Sequence, residues 1–254
     1  MANVTRFAAA GDLINRVAVS IGLAKTIDPF ASQDPAFIQL CTLATEIGQE
    51  LVQNNAWQKL VTEKAFTTAP GDTGIYELPN DFAYMIDQTG WQQGVPGSAW
   101  PLLGPASAQW WSYLQASELY TITIYAWFRM KEGKMHLWPQ PPPPGIPIRY
   151  EYVSRGWVLD STSTPVAPVY ADSVDVFADI VLFEPILFVK KLKLAWLQAK
   201  GFDTTKAQDE FDAALESWIG KDTSAPVLNV AGNGMFGLRF LDGVINVPET
   251  KYGS

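Results

Sequence analysis

Residues 34–68 read DPAFIQLCTLATEIGQELVQNNAWQKLVTEKAFTT, and the spacing of the apolar residues changes once along this stretch. Five apolar residues in its first part recur three or four positions apart, as on one face of a helix: Phe37, Leu40, Ala44, Ile47 and Leu51. Asp34 is of a type that caps helices, and Pro35 suits a first turn because its missing N–H needs no partner there. We therefore predict a helix that begins after Asp34 and ends near Asn54 and Asn55.

The second part of the stretch opens a region of short extended segments. Trp57 and Leu60 are expected to close the helical core. Strands are predicted after them, because β-branched and aromatic residues then occur in short runs between Gly and Pro turns. The predicted strands cover residues 64–68, 84–89, 121–129, 135–138 and 148–153. A short helix capped by Ser107 is predicted over 107–115, and a hairpin turn at Lys131–Lys134.

Helical spacing also marks the regions towards the two ends of the chain. Helices are predicted over residues 5–21, from Pro185 to Ala199 with Gly201 as the end signal, and over 204–219. Residues 174–183 fit a helix or a strand, and their β-branched and aromatic content favours a strand. The sequence thus predicts an α+β fold. Its parts are a helical bundle from residues 1–62 and 184–219, an inserted β-rich lobe over 63–183, and an extended C-terminal arm over 220–254.

The predicted arm is rich in apolar residues that follow no helical period. The residues of the arm that we predict to bind a partner are Val227, Leu228, Met235, Phe236, Leu238, Phe240, Leu241, Val244 and Ile245. The segment is too apolar for a solvated tail and too irregular for a core of its own. We therefore expect it to dock on another subunit, with the four large apolar residues between Phe236 and Leu241 as anchors. The alternative is an arm folded back on its own helices.

Composition bears on the kind of partner. The formal net charge is −8, and the basic cluster Lys190-Lys191-Leu192-Lys193 would fan around a helix axis and face solvent. Tight phosphate binding needs clustered Lys and Arg, so strong DNA affinity is not expected. Ten tryptophans, including the pair Trp110-Trp111, indicate either large interface contacts or a Trp-rich core. No stretch is expected to span a membrane.

Residues that serve nucleophilic catalysis and zinc binding are scarce. The chain has one cysteine, Cys41, and one histidine, His136. A His-dependent catalytic site, a zinc site and an internal disulfide are therefore not expected. Cys41 is predicted to be a small buried residue in a helix, and His136 a surface or packed residue of a short strand.

Two other patterns invite a functional interpretation. Asp172, Asp175 and Asp179 are close in sequence, but their spacing fits no calcium loop, and solvated charges are the favoured interpretation. Gly232–Gly237 matches G-x-G-x-x-G, but no helical pattern follows it, as a dinucleotide site requires. We predict no catalytic residue, no cofactor and no metal.

Several short phrases occur in an order that resembles the head-to-tail adaptor (connector) proteins of tailed bacteriophages. They are residues 55–60 (NAWQKL), 66–68 (FTT), 76–82 (YELPNDF), 137–141 (LWPQP), 150–154 (YEYVS) and 199–201 (AKG). The resemblance covers residues 5–218 and implies a non-enzymatic virion protein, assembled in the host cytoplasm, that forms a ring of about twelve copies on the portal protein. Such a ring extends the channel through which genomic DNA passes without specific binding, and it provides a platform for a downstream tail or nozzle protein.

Two other functions remain open. One is another ring of the neck or tail, such as a stopper or tail-tube protein. The more distant one is a carbohydrate-binding module, which needs a planar platform of exposed Trp rings on the β-rich lobe.

Overall fold

The computed structural model describes residues 6–93, 98–117, 126–164 and 168–222, and the predicted α+β class is confirmed. The five helices of these residues are α1 (Ala10–Ser20), α2 (Pro35–Asn54), α3 (Ala108–Ala116), α4 (Pro185–Lys200) and α5 (Thr205–Asp222). The strands are β1 (Ala8–Ala9), β2 (Val61–Thr67), β3 (Ile75–Glu77), β4 (Phe82–Met85), β5 (Trp91–Gln93), β6 (Ala99–Pro101), β7 (Trp127–Lys131), β8 (Lys134–Trp138), β9 (Pro147–Ser154), β10 (Val158–Leu159), β11 (Tyr170–Ala171) and β12 (Ile180–Val181).

The described residues form two compact units. The helical unit joins the residues up to Val61 with those from Val153 onward. In it, α4 packs against α1, α2 and α5, and one antiparallel sheet has the strand order β1-β12-β10-β11. Residues 153–183, assigned to the β-rich lobe from sequence, thus group with the helices, because β10 and β12 pair in the same sheet as β1. The β-rich unit is Thr62–Tyr152 and contains α3 and most of each strand from β2 to β9.

Helices α2 and α4 follow the signals in their sequences. The Ala36 N–H donates to the Asp34 carboxylate at 2.9 Å, so Asp34 caps α2 as predicted. Helix α4 begins at Pro185 and is followed by Gly201, whose φ of 71° is the left-handed conformation common after a helix end. The N–H of Phe202 donates to the Leu197 carbonyl at 3.0 Å and thereby closes this end.

The predicted helix over 5–21 and the predicted strand over 174–183 are both shorter in the structure. Ala8 and Ala9 pair with Val181 and Ile180, so α1 begins only at Ala10. Of residues 174–183, Ile180–Val181 alone form a strand. The reason is Asp179, which is 4% exposed and whose carboxylate accepts the N–H groups of residues 161, 175 and 176. These bonds hold the chain in a turn and compete with a strand ladder.

The core of the helical unit is built around Trp157, which is fully buried. Its ring stacks on Phe183 with 5.7 Å between ring centroids, and its indole N–H donates to the Asp172 carbonyl at 3.1 Å. Gly48 of α2 faces this indole, and a Cβ at position 48 would overlap the ring. Trp57 is also buried and meets Phe183 edge-on, in agreement with the prediction that it closes the helical core.

The β-rich unit contains two sheets. One has the order β2-β9-β5-β6, with β4 also pairing with β9, and the other has the order β3-β8-β7. The predicted hairpin turn joins β7 to β8, and Glu132 and Gly133 both have positive φ, at 55° and 70°, as a two-residue type I′ turn requires. The apolar core of this unit consists of Leu102, Phe128, Met135, Leu137, Ile148, Tyr150 and Tyr152.

Other element boundaries differ by a few residues. The strand expected over 84–89 lies at Phe82–Met85, and the one expected over 121–129 is observed as Trp127–Lys131, with residues 118–125 outside the described part. Ser107 caps α3 as predicted, since its hydroxyl accepts the Trp110 N–H at 3.1 Å. Helix α5 continues to Asp222, three residues past the predicted end at 219, and the Asp222 carboxylate accepts the Gln58 N–H at 2.7 Å.

Candidate interaction surfaces

His136, the one histidine, is a packed strand residue, which is one of the two predicted alternatives. It lies in β8 at 8% exposure, with its ring edge-on to Trp111 at 6.3 Å between ring centroids. Its Nε2 atom is buried and has no hydrogen-bond partner in the described structure. Residues 129 and 75 are its partners across the sheet, and neither Arg129 nor Ile75 can complete a catalytic triad with it.

The three aspartates singled out from sequence have separate structural roles. The Arg155 guanidinium pairs with Asp172 at 3.0 Å, and Asp175 accepts a hydrogen bond from the Ser173 hydroxyl at 3.0 Å. Asp179 is buried and binds backbone N–H groups, so the expectation of a solvated charge was wrong for this residue. The described residues contain no group of three or more His, Cys, Asp or Glu side chains placed to hold a metal ion.

The lysine cluster of α4 is less solvated than expected. Lys191 pairs with Glu50 at 2.7 Å, its side chain is 13% exposed, and its ammonium lies 4.9 Å from the Phe211 ring centroid. The Lys190 ammonium donates to the Glu210 carbonyl at 3.1 Å. These contacts tie α4 to α2 and α5, so the two lysines are packing residues of the helical unit.

A groove opens on the helical unit beside α2, with a volume of about 470 Å³. Its apolar lining includes Phe30, Val174 and Ile38, which is 52% exposed. Glu46 and Asp175 also line it, and neither carboxylate forms an ion pair with a described residue. We call this feature the α2 groove. It combines apolar surface with unpaired negative charge.

Cys41 also lines the α2 groove and is half-buried, not buried as predicted. Its thiol donates to the Pro29 carbonyl at 3.8 Å. Burial, and then the nearby Asp28 carboxylate, raise the pKa of the Cys41 thiol to about 11. The thiol is therefore protonated at neutral pH and weakly nucleophilic.

The turn between α4 and α5 carries the most exposed phenylalanine of the described residues, Phe202, at 62%. Lys200 and Lys206 flank it and are exposed. The Lys200 ammonium lies 4.6 Å from the Trp196 ring centroid, and the Lys206 side chain has no ion pair with a described residue. We call residues 200–206 the α4–α5 turn.

On the β-rich unit, helix α3 has the sequence AQWWSYLQA and carries no charged residue. Trp111 is 3% exposed and packs with Leu114 and Trp138, whereas Trp110 is 39% exposed and Tyr113 is 53% exposed. Trp110 and Tyr113 stack on each other at 5.0 Å between ring centroids, so they cover each other and do not form a flat side-by-side platform. Charge depletion with exposed aromatic rings is typical of the centre of a protein interface.

The residues predicted to anchor the arm, from Val227 to Ile245, lie outside the described residues, as does the Gly232–Gly237 motif. None of the helices in the described residues is both long enough and apolar enough to cross a bilayer.

Comparison with known families decides the class of protein. The family model of the SU10 adaptor protein matches residues 8–229, which include both units and every helix given above. The chain belongs to the SU10 adaptor protein family. This is a phage head–tail adaptor family, so the resemblance noted in the sequence is confirmed. No curated protein matches the chain.

The extent of the family match also separates two parts of the predicted arm. Val227 and Leu228 lie within the match, whereas Met235 and all later predicted anchors lie beyond it. Sequence reasoning predicted the turn between α4 and α5 but missed the α2 groove and the exposure of Phe202 in that turn. Ile38 lies outside the predicted apolar stripe of α2, and this spacing was the available signal of its exposure. Phe202 carries no such signal, because an apolar residue after a Gly cap is equally compatible with burial.

Proposed function

We propose that this protein is a head–tail adaptor that assembles into a ring at the head–tail junction of a phage particle. In this proposal one side of the ring binds the portal protein, and the other is the platform for a downstream tail or nozzle protein. The observation that carries the proposal is the family match over residues 8–229. The exposed, uncharged aromatic face of α3 supports it, because such faces are typical of protein contacts.

Genomic DNA would pass through this ring without tight binding. The chain has 18 basic and 26 acidic residues, and the two α4 lysines described above are engaged in contacts within the helical unit. Strong phosphate binding requires several free Lys and Arg side chains on one surface. A weakly attractive or repulsive lumen would let the DNA slide. We expect weak, salt-sensitive DNA affinity, and sub-micromolar binding at physiological salt would contradict it.

The C-terminal arm is proposed as an attachment device that docks on the portal or on a neighbouring adaptor. Its sequence supports this role, because apolar residues are dense and turn-forming residues are frequent from Val227 to Val247. Large apolar groups such as Phe236 and Phe240 are the kind of side chain that dominates binding energy at interfaces.

The ring is tested by electron microscopy of the purified protein, alone and mixed with the portal protein. We expect closed rings of about twelve copies in at least one of the two samples, since a repeated heterologous contact closes when the rotation per subunit fits. Mass measurement of the same samples gives the copy number. The absence of any ring in both samples would overturn the proposed function.

The arm is tested by truncation after Asp222. This end point keeps all of α5 and the hydrogen bond from Gln58 to Asp222, so the helical unit should stay folded. We expect unchanged helix content by circular dichroism and loss of portal-bound rings. A truncated protein that assembles with normal affinity would show that the arm is not the attachment device.

A further inference from the structure

We propose that Phe202 of one copy inserts into the α2 groove of a neighbouring copy and that this contact joins the subunits of the ring. The inference rests on the proposed ring and specifies how one copy recognises the next. Its occupant is a second copy of this chain, because the groove and a side chain suited to it occur on the same unit.

Phe202 is held in place by its backbone. Gly201 adopts the left-handed conformation, its N–H donates to the Gln198 carbonyl at 3.1 Å, and the Phe202 N–H donates to the Leu197 carbonyl at 3.0 Å. On the other side of Phe202, the Asp203 carboxylate accepts the Thr205 N–H at 3.0 Å and the Thr205 hydroxyl at 2.8 Å. A residue fixed in this way loses little conformational entropy on binding, which favours a specific contact.

The exposed ring of Phe202 is unfavourable in the isolated chain, because its apolar surface is in contact with water. After a left-handed cap of this kind, the residue at this position commonly packs on the preceding helix turn. Here Phe202 is 62% exposed, so most of its apolar surface remains available to a partner. Transfer of this remaining apolar surface from water into a neighbour's groove is favourable, which suits a repeated subunit contact.

The α2 groove has the size and the apolar surface to receive this ring. Phe30, Val174 and the half-exposed Ile38 supply the apolar lining. The groove volume of about 470 Å³ is larger than the roughly 150 Å³ of an apolar cavity that binds benzene, so the groove has room for a phenyl ring.

Charge also favours this pairing. The groove carries the Glu46 and Asp175 carboxylates, and Asp28 lies close to Cys41, with no described cation paired to any of the three. The α4–α5 turn brings the ammonium groups of Lys200 and Lys206 and one carboxylate, that of Asp203, so its formal net charge is +1. Positive charge on one patch therefore meets negative charge on the other.

The two patches are different surfaces, so a contact between them is heterologous. A contact of this type forms rings when the rotation per copy closes, whereas a self-complementary patch would stop at a dimer. This is the geometry that an adaptor ring needs.

The single cysteine of the chain provides the test, because Cys41 lines the α2 groove. We would introduce Phe202→Cys and prepare it, alone and on portal, at a concentration at which Phe202→Ala still assembles. The assembled protein would then be oxidised with copper phenanthroline at pH 8.5. If Phe202 occupies the neighbour's groove, a disulfide joins Cys41 of one copy to the new cysteine of the next. Non-reducing electrophoresis should then show a ladder of linked copies.

Two control variants test whether the ladder arises from the proposed contact between Cys41 and position 202. Val19→Cys places a thiol at 58% exposure on the same unit and should form ladders about tenfold less, as expected for a site outside a specific contact. Phe202→Cys combined with Cys41→Ala has one thiol per copy and can form at most disulfide-linked dimers. It should form none, which excludes bonds between two introduced cysteines. A ladder of equal yield from Val19→Cys, disulfide-linked dimers of the double variant, or a linked monomer instead of a ladder would overturn the inference.

A second measurement does not depend on oxidation. Phe202→Ala should raise the protein concentration at half-assembly by about tenfold or more. Lys206→Glu should weaken assembly, and adding Glu46→Lys should restore part of it by returning opposite charges to the two patches. If rings form normally in all these variants, the contact lies elsewhere and the ring proposal stands. If the unmodified protein forms no ring alone or on portal, both proposals fail.

Discussion

The helical unit and the β-rich unit use their tryptophans in different ways. In the helical unit, three of the four tryptophans, Trp157, Trp57 and Trp196, are at most 7% exposed and serve the core, whereas Trp218 of α5 is partly exposed. In the β-rich unit, the adjacent Trp110 and Trp111 divide the two roles, since Trp111 is buried and Trp110 is exposed beside Tyr113. A high Trp content therefore does not by itself indicate an interface, because neighbouring residues on one short helix lie on different faces.

The two units also differ in which side chains have a pKa that burial raises. The β-rich unit buries phenols: burial raises the pKa of Tyr150 to about 12, and burial followed by hydrogen bonding to a carboxylate raises the pKa of Tyr76 and of Tyr152. In the helical unit the corresponding group is the Cys41 thiol. The β-rich unit should therefore be the more sensitive of the two to high pH.

The largest expected effect is that of Trp157→Ala on the helical unit. The side chain is fully buried between Phe183 and Gly48, so its removal should lower the free energy of unfolding by about 3–5 kcal/mol. Urea denaturation followed by far-ultraviolet circular dichroism measures this loss. The matched control Trp110→Ala should cost about 1 kcal/mol or less, because that ring is partly exposed. Equal losses of unfolding free energy in the two variants would show that Trp110 contributes as much to stability as Trp157.

Leu137→Ala is the corresponding change in the β-rich unit and should cost about 2–5 kcal/mol. Leu137 is 1% exposed and packs with Phe128, Met135 and Ile148. Hydrogen exchange should show the greatest loss of amide protection in β7, β8 and β9 for this variant, and in α2 and α4 for Trp157→Ala. If both variants lose protection uniformly over the chain, the two units unfold as one cooperative structure.

Helix caps provide a smaller, matched pair of changes. Asp34→Ala removes the cap of α2, and Ser107→Ala removes the cap of α3 in the other unit. Each should cost about 1 kcal/mol, because one backbone N–H loses its acceptor. Thermal unfolding of both variants measures the effect. A cost near zero for Ser107→Ala alone would show that α3 is held by its buried face, through Trp111 and Leu114, more than by its cap.

The smallest effect at neutral pH is expected for Tyr150→Phe. A phenol whose pKa is raised on folding binds its proton more tightly in the folded state, so its contribution to stability is complete below the unfolded pKa of 10 and is lost as the pH rises towards about 12. The variant should match the unmodified protein at pH 8 and resist alkaline unfolding better at pH 11. Denaturation curves at the two pH values test this, and parallel losses in both proteins would exclude Tyr150 as a cause.

A structural feature could be predicted from the sequence where it is set by interactions between residues a few positions apart. Asp34 and Pro35 predict the start of α2, Gly201 predicts the end of α4, and Lys131–Lys134 predict the β7–β8 turn, because each signal acts on backbone groups a few residues away. The family could also be inferred from the order of short phrases. The absence of a helical pattern after Gly232–Gly237 made that motif a weak signal for a nucleotide site.

The residues alone were therefore enough to infer the fold class, the main helices, one hairpin and membership of an adaptor family. Tertiary structure alone decided that residues 8–9 leave the first helix to pair with residues 180–181, and that Asp179 turns the preceding segment out of a strand. It also decided that Phe202 lies exposed while Lys191 is covered. The physical reason is that burial and long-range strand pairing depend on elements far apart in the chain. The residues next to a given side chain do not indicate which distant element will cover it.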